Sequence, residues 1–487
     1  MIIKSTVLYA PAIMAPRAAA FILVLLLTRR LGPAEFGLYA LVTLVGEMLD
    51  MGSSNWIRFS LLRSDISTPA VWRDGLAKSA RLSVVFMSLA CLVGLGVAYW
   101  IAPGRALTFA VAVAAYVVSN SGLRLGLATL QLQGRKLEQS ALETARAIGL
   151  LCSGWIASGL HPNFASVALA NAAVTGTFAA IVLTRGALTL PAGGAVGASY
   201  RSRIEYGLPI VALTFVSYMV ASSDRVFLKL LGGAATVGIY AASYSIARTP
   251  SDIIGNAMNQ GGFPELMRRH DQAGAEGAAQ FVRNAFELMT VLQFTVLGFS
   301  AGLSQAIANA VLPAAYREAA VHLLPIITAS AVCISLKAYV FDNIFHATRK
   351  NWLQFSTYAP AGVVTVAASL LLIPRLGALG AGLAFLSGSF CGLMSSYLLS
   401  RRFINARLNM VELGKAVALG VIGGGVGHLA WMALLPVHLP ALVVFALAAT
   451  AGLTVWAVAA ILLRPKLIRG PVDKLTRKVL RRAPAQA

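Results

Sequence analysis

The chain has 487 residues, 58% of them hydrophobic and 12% charged, and its 40 Lys and Arg outnumber its 18 Asp and Glu. Because a soluble domain carries about 25% charged residues, this composition excludes an ordinary soluble protein and indicates a polytopic membrane protein. The net charge of +22 would suit nucleic-acid binding. However, the basic residues concentrate in the loops of one side, as the positive-inside rule describes, so no nucleic-acid partner is predicted.

Fourteen stretches are long and apolar enough to cross a bilayer, which takes about 20 residues for each crossing. In chain order they are 7–28, 36–62, 79–101, 106–132, 140–158, 163–184, 204–228, 237–262, 281–302, 319–347, 352–373, 378–399, 411–435 and 441–463. The loop charges place both termini in the cytoplasm. The sequence therefore predicts an all-α multi-pass protein whose basic loops contact anionic lipids of the inner leaflet.

A sequence motif occurs twice, about 200 residues apart. LGPAEFGLYA at 31–40 opens the second span, and LGGAATVGIYA at 231–241 opens the eighth. The turns QGRK at 133–136 and ATRK at 347–350 follow the fourth and tenth spans. We therefore predict two pseudo-symmetric six-helix bundles, 1–190 and 204–402, repeated in the same orientation. Such parallel repeats imply an axis along the membrane normal.

Three further segments complete the predicted organisation. A cytoplasmic linker, 191–203, joins the bundles, and two extra transmembrane helices occupy 403–465. The basic tail, 466–487, alternates apolar and basic residues over 471–482, which is typical of a short amphipathic helix on an anionic membrane surface. Binding of a partner protein is the alternative for this tail.

Seven basic residues fall inside predicted spans, where each costs about 2.5–3.5 kcal/mol at the bilayer centre. They are Arg17, Arg58, Arg124, Arg146, Arg225, Arg248 and Lys337. Residues in this situation usually face a protein interior or a water-filled cavity, so these cations suggest a path for an anion. One face of the second span carries Thr43, Glu47, Asp50, Ser54 and Arg58, and one face of the eighth carries Tyr244, Arg248, Asp252, Asn256 and Asn259. We expect both faces to line a lumen between the halves, with pairing inside each helix as the alternative.

Acidic neighbours separate the substrate candidates from the structural cations. Arg17, which Pro11 and Pro16 flank, has no acidic residue three or four positions away, and neither have Arg124 and Lys337. With Arg248 and Arg58 from the polar faces, they form the predicted substrate-binding set. Arg146, Arg225 and Arg283 lie close to Glu143, Asp224 and Glu287 along the chain, which favours structural pairing. Glu47, Asp50, Asp252 and Asp342 are the candidate ion-coupling sites for a proton or sodium.

Enzymatic motifs are missing from the sequence. It contains no P-loop, GxSxG or HExxH pattern, and the short predicted outer loops oppose a membrane glycan transferase or polymerase. The four cysteines, Cys91, Cys152, Cys333 and Cys391, fall in separate spans, so neither disulfides nor a metal site is supported. We predict a non-enzyme with no catalytic residue, cofactor or metal.

The repeated LG…G-aliphatic-YA motif, the QGRK turn and the LGALGAGLA segment at 376–384 resemble the bacterial oligosaccharide and polysaccharide flippases. These Wzx-type proteins belong to the multidrug/oligosaccharidyl-lipid/polysaccharide (MOP) exporter superfamily, which also contains MurJ-type and MATE-type transporters. The resemblance implies a V-shaped pair of bundles, alternating access and an undecaprenyl-pyrophosphate-linked glycan as cargo. It also implies that Arg17, Arg124, Arg248 and Lys337 line the lumen.

The resulting hypothesis is an inner-membrane flippase for surface polysaccharide synthesis, such as O-antigen, exopolysaccharide or capsule. Polysaccharide polymerase and assembly proteins are its expected neighbours. The alternative is a cation-coupled multidrug exporter of the same fold, although drug-exporting relatives rely on an acidic residue in the first span, where this chain has Arg17.

Overall fold

The computed structural model describes residues 2–62, 69–188, 200–437 and 439–463, and every regular element in these ranges is helical. The α-helices are α1 (Ile2–Arg30), α2 (Pro33–Ser53), α3 (Asn55–Leu62), α4 (Pro69–Ile101), α5 (Ala106–Leu132), α6 (Lys136–Leu160), α7 (Phe164–Leu188), α8 (Tyr200–Gly302), α9 (Ser304–Val311), α10 (Ala314–Leu336), α11 (Asp342–Ala347), α12 (Gln354–Leu376), α13 (Ala378–Ser400), α14 (Met410–Leu434) and α15 (Ala441–Leu463). Short 3₁₀ turns cover Pro103–Arg105, Asn351–Leu353 and Leu435–Val437, and a π-helical turn covers Lys337–Phe341.

The 103 residues of α8 do not form one rod. The Tyr240 hydroxyl donates to Asp224, and the Gln293 side chain donates to the carbonyl of Ser251. A straight helix rises about 1.5 Å per residue, so neither pair could meet without a turn between its members. Gly233 and Gly274 have positive φ, +85° and +61°, a conformation that glycine adopts without steric cost. These two glycines divide α8 into 200–232, 234–273 and 275–302.

This division accounts for the number of spans. Within the described residues, six long helices precede α8, three segments lie within it, and five long helices follow it, which confirms the predicted all-α fold with fourteen membrane helices. Nine helical stretches within the described ranges, Ser222–Gly302 counted as one, are long and apolar enough to cross a membrane. The predicted tail 466–487 and residues 191–199 of the predicted linker lie outside the described residues.

By its own contacts the chain divides into two units, residues 1–242 and 243–487. In the first unit, α5 packs on α7, α1 packs on α6, and α2 packs on α5. Small residues allow these close approaches; Gly126 on α5, for example, lies directly against Val182 on α7. The predicted bundle limits, 1–190 and 204–402, stay a prediction.

In the second unit, α13 packs against both α10 and α12, and an apolar core that includes Phe286, Phe341 and Leu393 fills the interior. The two C-terminal helices pair with each other, and α14 docks on the end of α8 through glycines of both helices. A Cβ on Gly298 or Gly302 would overlap the backbone of Gly420 or Gly424. Such backbone-to-backbone packing is typical of membrane helices.

Candidate functional site

The acidic face of α2 meets a basic residue of α5 in the first unit. The Arg124 guanidinium lies 2.6 Å from Oε1 of Glu47 and 2.7 Å from Oδ2 of Asp50. The Tyr116 hydroxyl donates to the other oxygen of Glu47 at 2.8 Å, and the Ser121 hydroxyl donates to Oδ1 of Asp50. Because Asp50 is fully buried, Arg124 supplies the countercharge that this carboxylate requires.

This pairing changes the interpretation of three predicted site residues. Helical spacing shows no acidic neighbour for Arg124, yet the structure provides two from another helix. The same contacts engage Glu47 and Asp50, which the sequence suggests as ion-coupling sites, with the single cation of Arg124. Substrate binding by Arg124 and ion binding by the two acids stay predictions, and either event has to compete with the ion pair.

A cavity of about 230 Å³ lies beside the ion pair, and three arginines from three helices line it. A break at Ser54 separates α2 from α3, and α3 carries Arg58 into the lining. Arg124 comes from α5 and Arg146 from α6. Glu143 is the acidic side chain of this lining, and Asn120, Gln131 and Gln139 contribute amides. We call this space the arginine cavity; its cations and amides suit an anion with several oxygen acceptors.

Arg146 does not form the structural pair with Glu143 that its sequence position suggests. Glu143 lies three residues earlier, but no ion pair joins the two, and Glu143 accepts a hydrogen bond from Gln139 Nε2 at 3.3 Å. The Nε atom of Arg146 is buried and has no acceptor among the residues that the structure describes. Arg146 is therefore a cavity-lining cation with unused hydrogen-bonding capacity, and helical spacing alone misses it.

A second cavity, of about 260 Å³, lies among α1, α2, α5, α6 and α7. Tyr39 and Tyr116 give it two phenol groups, so we call it the tyrosine cavity. Asn120 and Arg146 line this cavity and the arginine cavity alike, so the two spaces adjoin. Asn171 also lines it and donates to the Tyr39 hydroxyl at 3.0 Å. The sequence did not predict this cavity: Tyr39 lies in the repeated G-aliphatic-YA motif, which indicated an internal repeat and not a site.

In the second unit, Arg248 pairs within its own helix. Its Nε lies 3.0 Å from Oδ2 of Asp252, four residues later, and its guanidinium also donates to the Tyr244 hydroxyl. This contact is the pairing inside the helix that the sequence offers as the alternative; the predicted position of Arg248 in a lumen stays a prediction. Both members of the pair keep partial exposure, 27% for Arg248 and 36% for Asp252, so the pair remains open to a ligand.

Lys337 and Asp342 form a second, more deeply buried pair. The Lys337 ammonium lies 2.6 Å from Oδ2 of Asp342 and 3.7 Å from the centre of the Tyr358 ring, and the Ser396 hydroxyl donates to Oδ1 of Asp342 at 2.5 Å. The π-helical turn explains the pairing, since the Asp342 N–H bonds to the Lys337 carbonyl five residues earlier. A spacing of three or four residues does not show this partner.

Arg17, the remaining predicted substrate residue, is half-buried on α1. Its neighbour Pro16 lines the tyrosine cavity, whereas Arg17 lines neither the tyrosine cavity nor the arginine cavity. The structure thus brings Arg58, Arg124, Glu47 and Asp50 together in one unit, and places Arg248 with Asp252 and Lys337 with Asp342 in two pairs of the other.

Residues 26–321, more than half of the chain, match the sequence profile described as "Polysaccharide biosynthesis protein". The chain belongs to the polysaccharide biosynthesis protein family. A comparison with curated protein sequences gave no significant match.

Solved structures of known transporters share the fold of this chain. The lipid II flippase MurJ in an inward closed conformation matches with a TM-score of 0.74 at 10% identity, over 95% of this chain and 100% of the other. An inward-facing multidrug resistance MATE family transporter of the MOP superfamily matches with a TM-score of 0.61 at 12% identity, over 81% and 98%. A MOP superfamily transporter from Pyrococcus furiosus, described as having a binding pocket of reverse polarity, matches with a TM-score of 0.52 at 13% identity, over 83% and 96%. The resemblance drawn from the sequence motifs is confirmed, and the protein is a multi-pass membrane protein with the fold seen in MurJ and MATE structures.

Proposed function

We propose that this protein is a flippase that moves an undecaprenyl-pyrophosphate-linked oligosaccharide from the cytoplasmic to the periplasmic leaflet of a bacterial inner membrane. It works by alternating access, with both termini in the cytoplasm, and it serves surface polysaccharide synthesis. The family supports a role in polysaccharide synthesis, and the MurJ-like fold supports a lipid-linked cargo.

The observation that carries the proposal is the arginine cavity. A diphosphate brings about two negative charges and several acceptor oxygens, which the planar fork of an arginine matches in geometry. Arg146 lines this cavity with an unused buried Nε, and Arg58 lines it from α3. Burying the Arg146 charge in the membrane interior is costly, and binding an anionic head group offsets that cost.

Outward transport does not require ATP in this scheme. With the cell interior negative, moving about two negative charges outward gains roughly 4–5 kcal/mol per 100 mV, at about 2.3 kcal/mol per charge. Glu47, Asp50, Asp252 and Asp342 are the proposed sites for additional proton or sodium coupling. Each lies in an ion pair. Protonation of Asp252 or Asp342 would release its own cation. Arg124, in contrast, would be released only when both Glu47 and Asp50 are protonated, because it pairs with both.

A deletion strain tests the proposal. The polyprenyl-pyrophosphate pool is extracted and its species are analysed by mass spectrometry. The side of the membrane that the glycan occupies is determined separately. We expect an intact repeat unit to accumulate on the cytoplasmic face, which also identifies the cargo by mass. An unchanged pool in the deletion strain would contradict the proposal.

The second candidate is a cation-coupled multidrug exporter, which the MATE-like fold favours. Organic-cation efflux by the purified protein in liposomes, retained in Arg17→Ala, would support it. The arginines of the first unit argue for the flippase, because they repel a cationic drug.

A further inference from the structure

We infer that the tyrosine cavity is a binding subsite for the sugar ring attached directly to the diphosphate of the cargo. The inference rests on the proposed flippase function and deepens it, because it assigns the first sugar a place inside the first unit. Neither the substrate-binding set expected from the sequence nor the family match assigns a ligand to this cavity.

The cavity offers hydrogen-bonding capacity that the protein itself does not use. The Tyr39 hydroxyl accepts from Asn171 at 3.0 Å, while its own hydrogen finds no acceptor within the described residues. Asn120 donates to the Tyr116 carbonyl at 3.0 Å, which leaves its side-chain oxygen available as an acceptor. Arg146 adds further donors. The lining therefore offers both donors and acceptors to an occupant.

The combination of donors, acceptors and apolar walls in this cavity favours a sugar over other occupants. A free anion accepts hydrogen bonds and donates none, so it would leave the side-chain oxygen of Asn120 without a donor. An apolar ligand would leave the Tyr39 and Asn120 groups without partners, at a cost. A sugar ring presents hydroxyls at its edge and C–H groups on its faces, and Leu23, Val42 and Leu150 supply matching apolar walls.

Position and size support the same occupant. Asn120 and Arg146 line both cavities, so a ring in the tyrosine cavity is adjacent to a diphosphate in the arginine cavity, as the covalent link between them requires. The volume of about 260 Å³ is smaller than the ~300–1,000 Å³ of pockets for drug-sized ligands. The cavity therefore takes one ring, and the rest of the glycan lies outside it.

Binding of two probes tests the inference on the full-length protein in lipid nanodiscs. One probe is undecaprenyl diphosphate, and the other is undecaprenyl diphosphate carrying a single N-acetylhexosamine. Wild type should bind the sugar-bearing probe more tightly. Loss of one hydrogen bond in Tyr39→Phe should weaken binding of the sugar-bearing probe by roughly tenfold and leave the sugar-free probe unchanged. Asn120→Ala should weaken the sugar-bearing probe more than the sugar-free one, because Asn120 also lines the arginine cavity. Arg146→Gln should weaken both.

The matched control is Tyr99→Phe, because Tyr99 is 63% exposed on α4 and should bind both probes as wild type does. Thermal unfolding of each variant identifies a folding defect. Because the two variants change separate positions, the test still works if one of them does not fold. Equal binding of the two probes by wild type, or equal weakening of both by Tyr39→Phe and Asn120→Ala, would overturn the inference. If wild type binds neither probe, the proposed function itself fails.

Discussion

Gly37 and Gly238 lie against each other backbone to backbone, each in the space that the other's side chain would need. A Cβ on Gly37 would overlap the carbonyl oxygen of Ala234, and a Cβ on Gly238 would overlap that of Pro33. Both glycines belong to the motif that occurs twice in the sequence. The two copies of the motif are therefore packing partners of each other, with reciprocal contacts.

Gly37→Ala and Gly238→Ala should each destabilise the protein. Because the obstacle is backbone rather than a flexible side chain, the helices have to separate, and overpacking of this kind costs about 1–3 kcal/mol. Thermal unfolding in detergent measures the effect. Gly96→Ala is the control, since nothing lies within 4 Å of a Cβ at that exposed position. Equal midpoints for all three variants would show that this contact does not form.

Arg124→Ala should lower stability because it leaves buried Asp50 without its countercharge. Removing one partner of a buried pair costs about 3–5 kcal/mol, and we expect the lower end because Arg124 keeps 24% of its side-chain exposure. Adding Asp50→Asn and Glu47→Gln to Arg124→Ala should restore much of the unfolding midpoint. A triple variant as unstable as Arg124→Ala alone would argue against the pairing.

Arg146→Gln, in contrast to Arg124→Ala, should lower cargo binding and leave stability nearly unchanged. No ion pair is lost with it in the described part of the chain, so the unfolding midpoint should stay within a few degrees of wild type while cargo binding falls. Arg146→Lys should keep part of the binding, because it retains the charge but not the planar fork. Exposed Arg81 on α4 provides the control variant Arg81→Gln. Full binding by Arg146→Gln would remove Arg146 from the site.

Lys337 and Asp342 should show strong thermodynamic coupling. Both are about nine-tenths buried or more, so Lys337→Met and Asp342→Leu should each be clearly destabilising, whereas the double variant should be less destabilised than the sum of the two. A double-mutant cycle on unfolding midpoints measures the coupling. Strict additivity would contradict the pair.

The fold was accessible from the sequence because hydropathy and repeated motifs report it directly. Length and apolar runs predict fourteen spans. The described residues form them, although three of the spans follow one another in α8 without a loop between them. Gly233 and Gly274 explain this difference, because each turn is made by one glycine with positive φ and needs few non-helical residues.

The electrostatic partners were less accessible, since spacing along one α-helix shows only neighbours on that helix. It succeeded for Arg248 and Asp252, four residues apart. It failed for Arg124, whose partners lie on α2, and for Lys337, whose partner is five residues away across a π-helical turn. For Arg146 it named Glu143, which bonds to Gln139 instead.

Movement of cargo across a membrane by the purified protein tests the central claim most directly. Wild type and Arg146→Gln are reconstituted into liposomes with a fluorescent undecaprenyl-diphosphate glycan, and a membrane-impermeant quencher reports the fraction in the outer leaflet over time. We expect rapid exchange between leaflets with wild type and slow exchange with Arg146→Gln. Exchange by wild type no faster than in protein-free liposomes would contradict the flippase assignment.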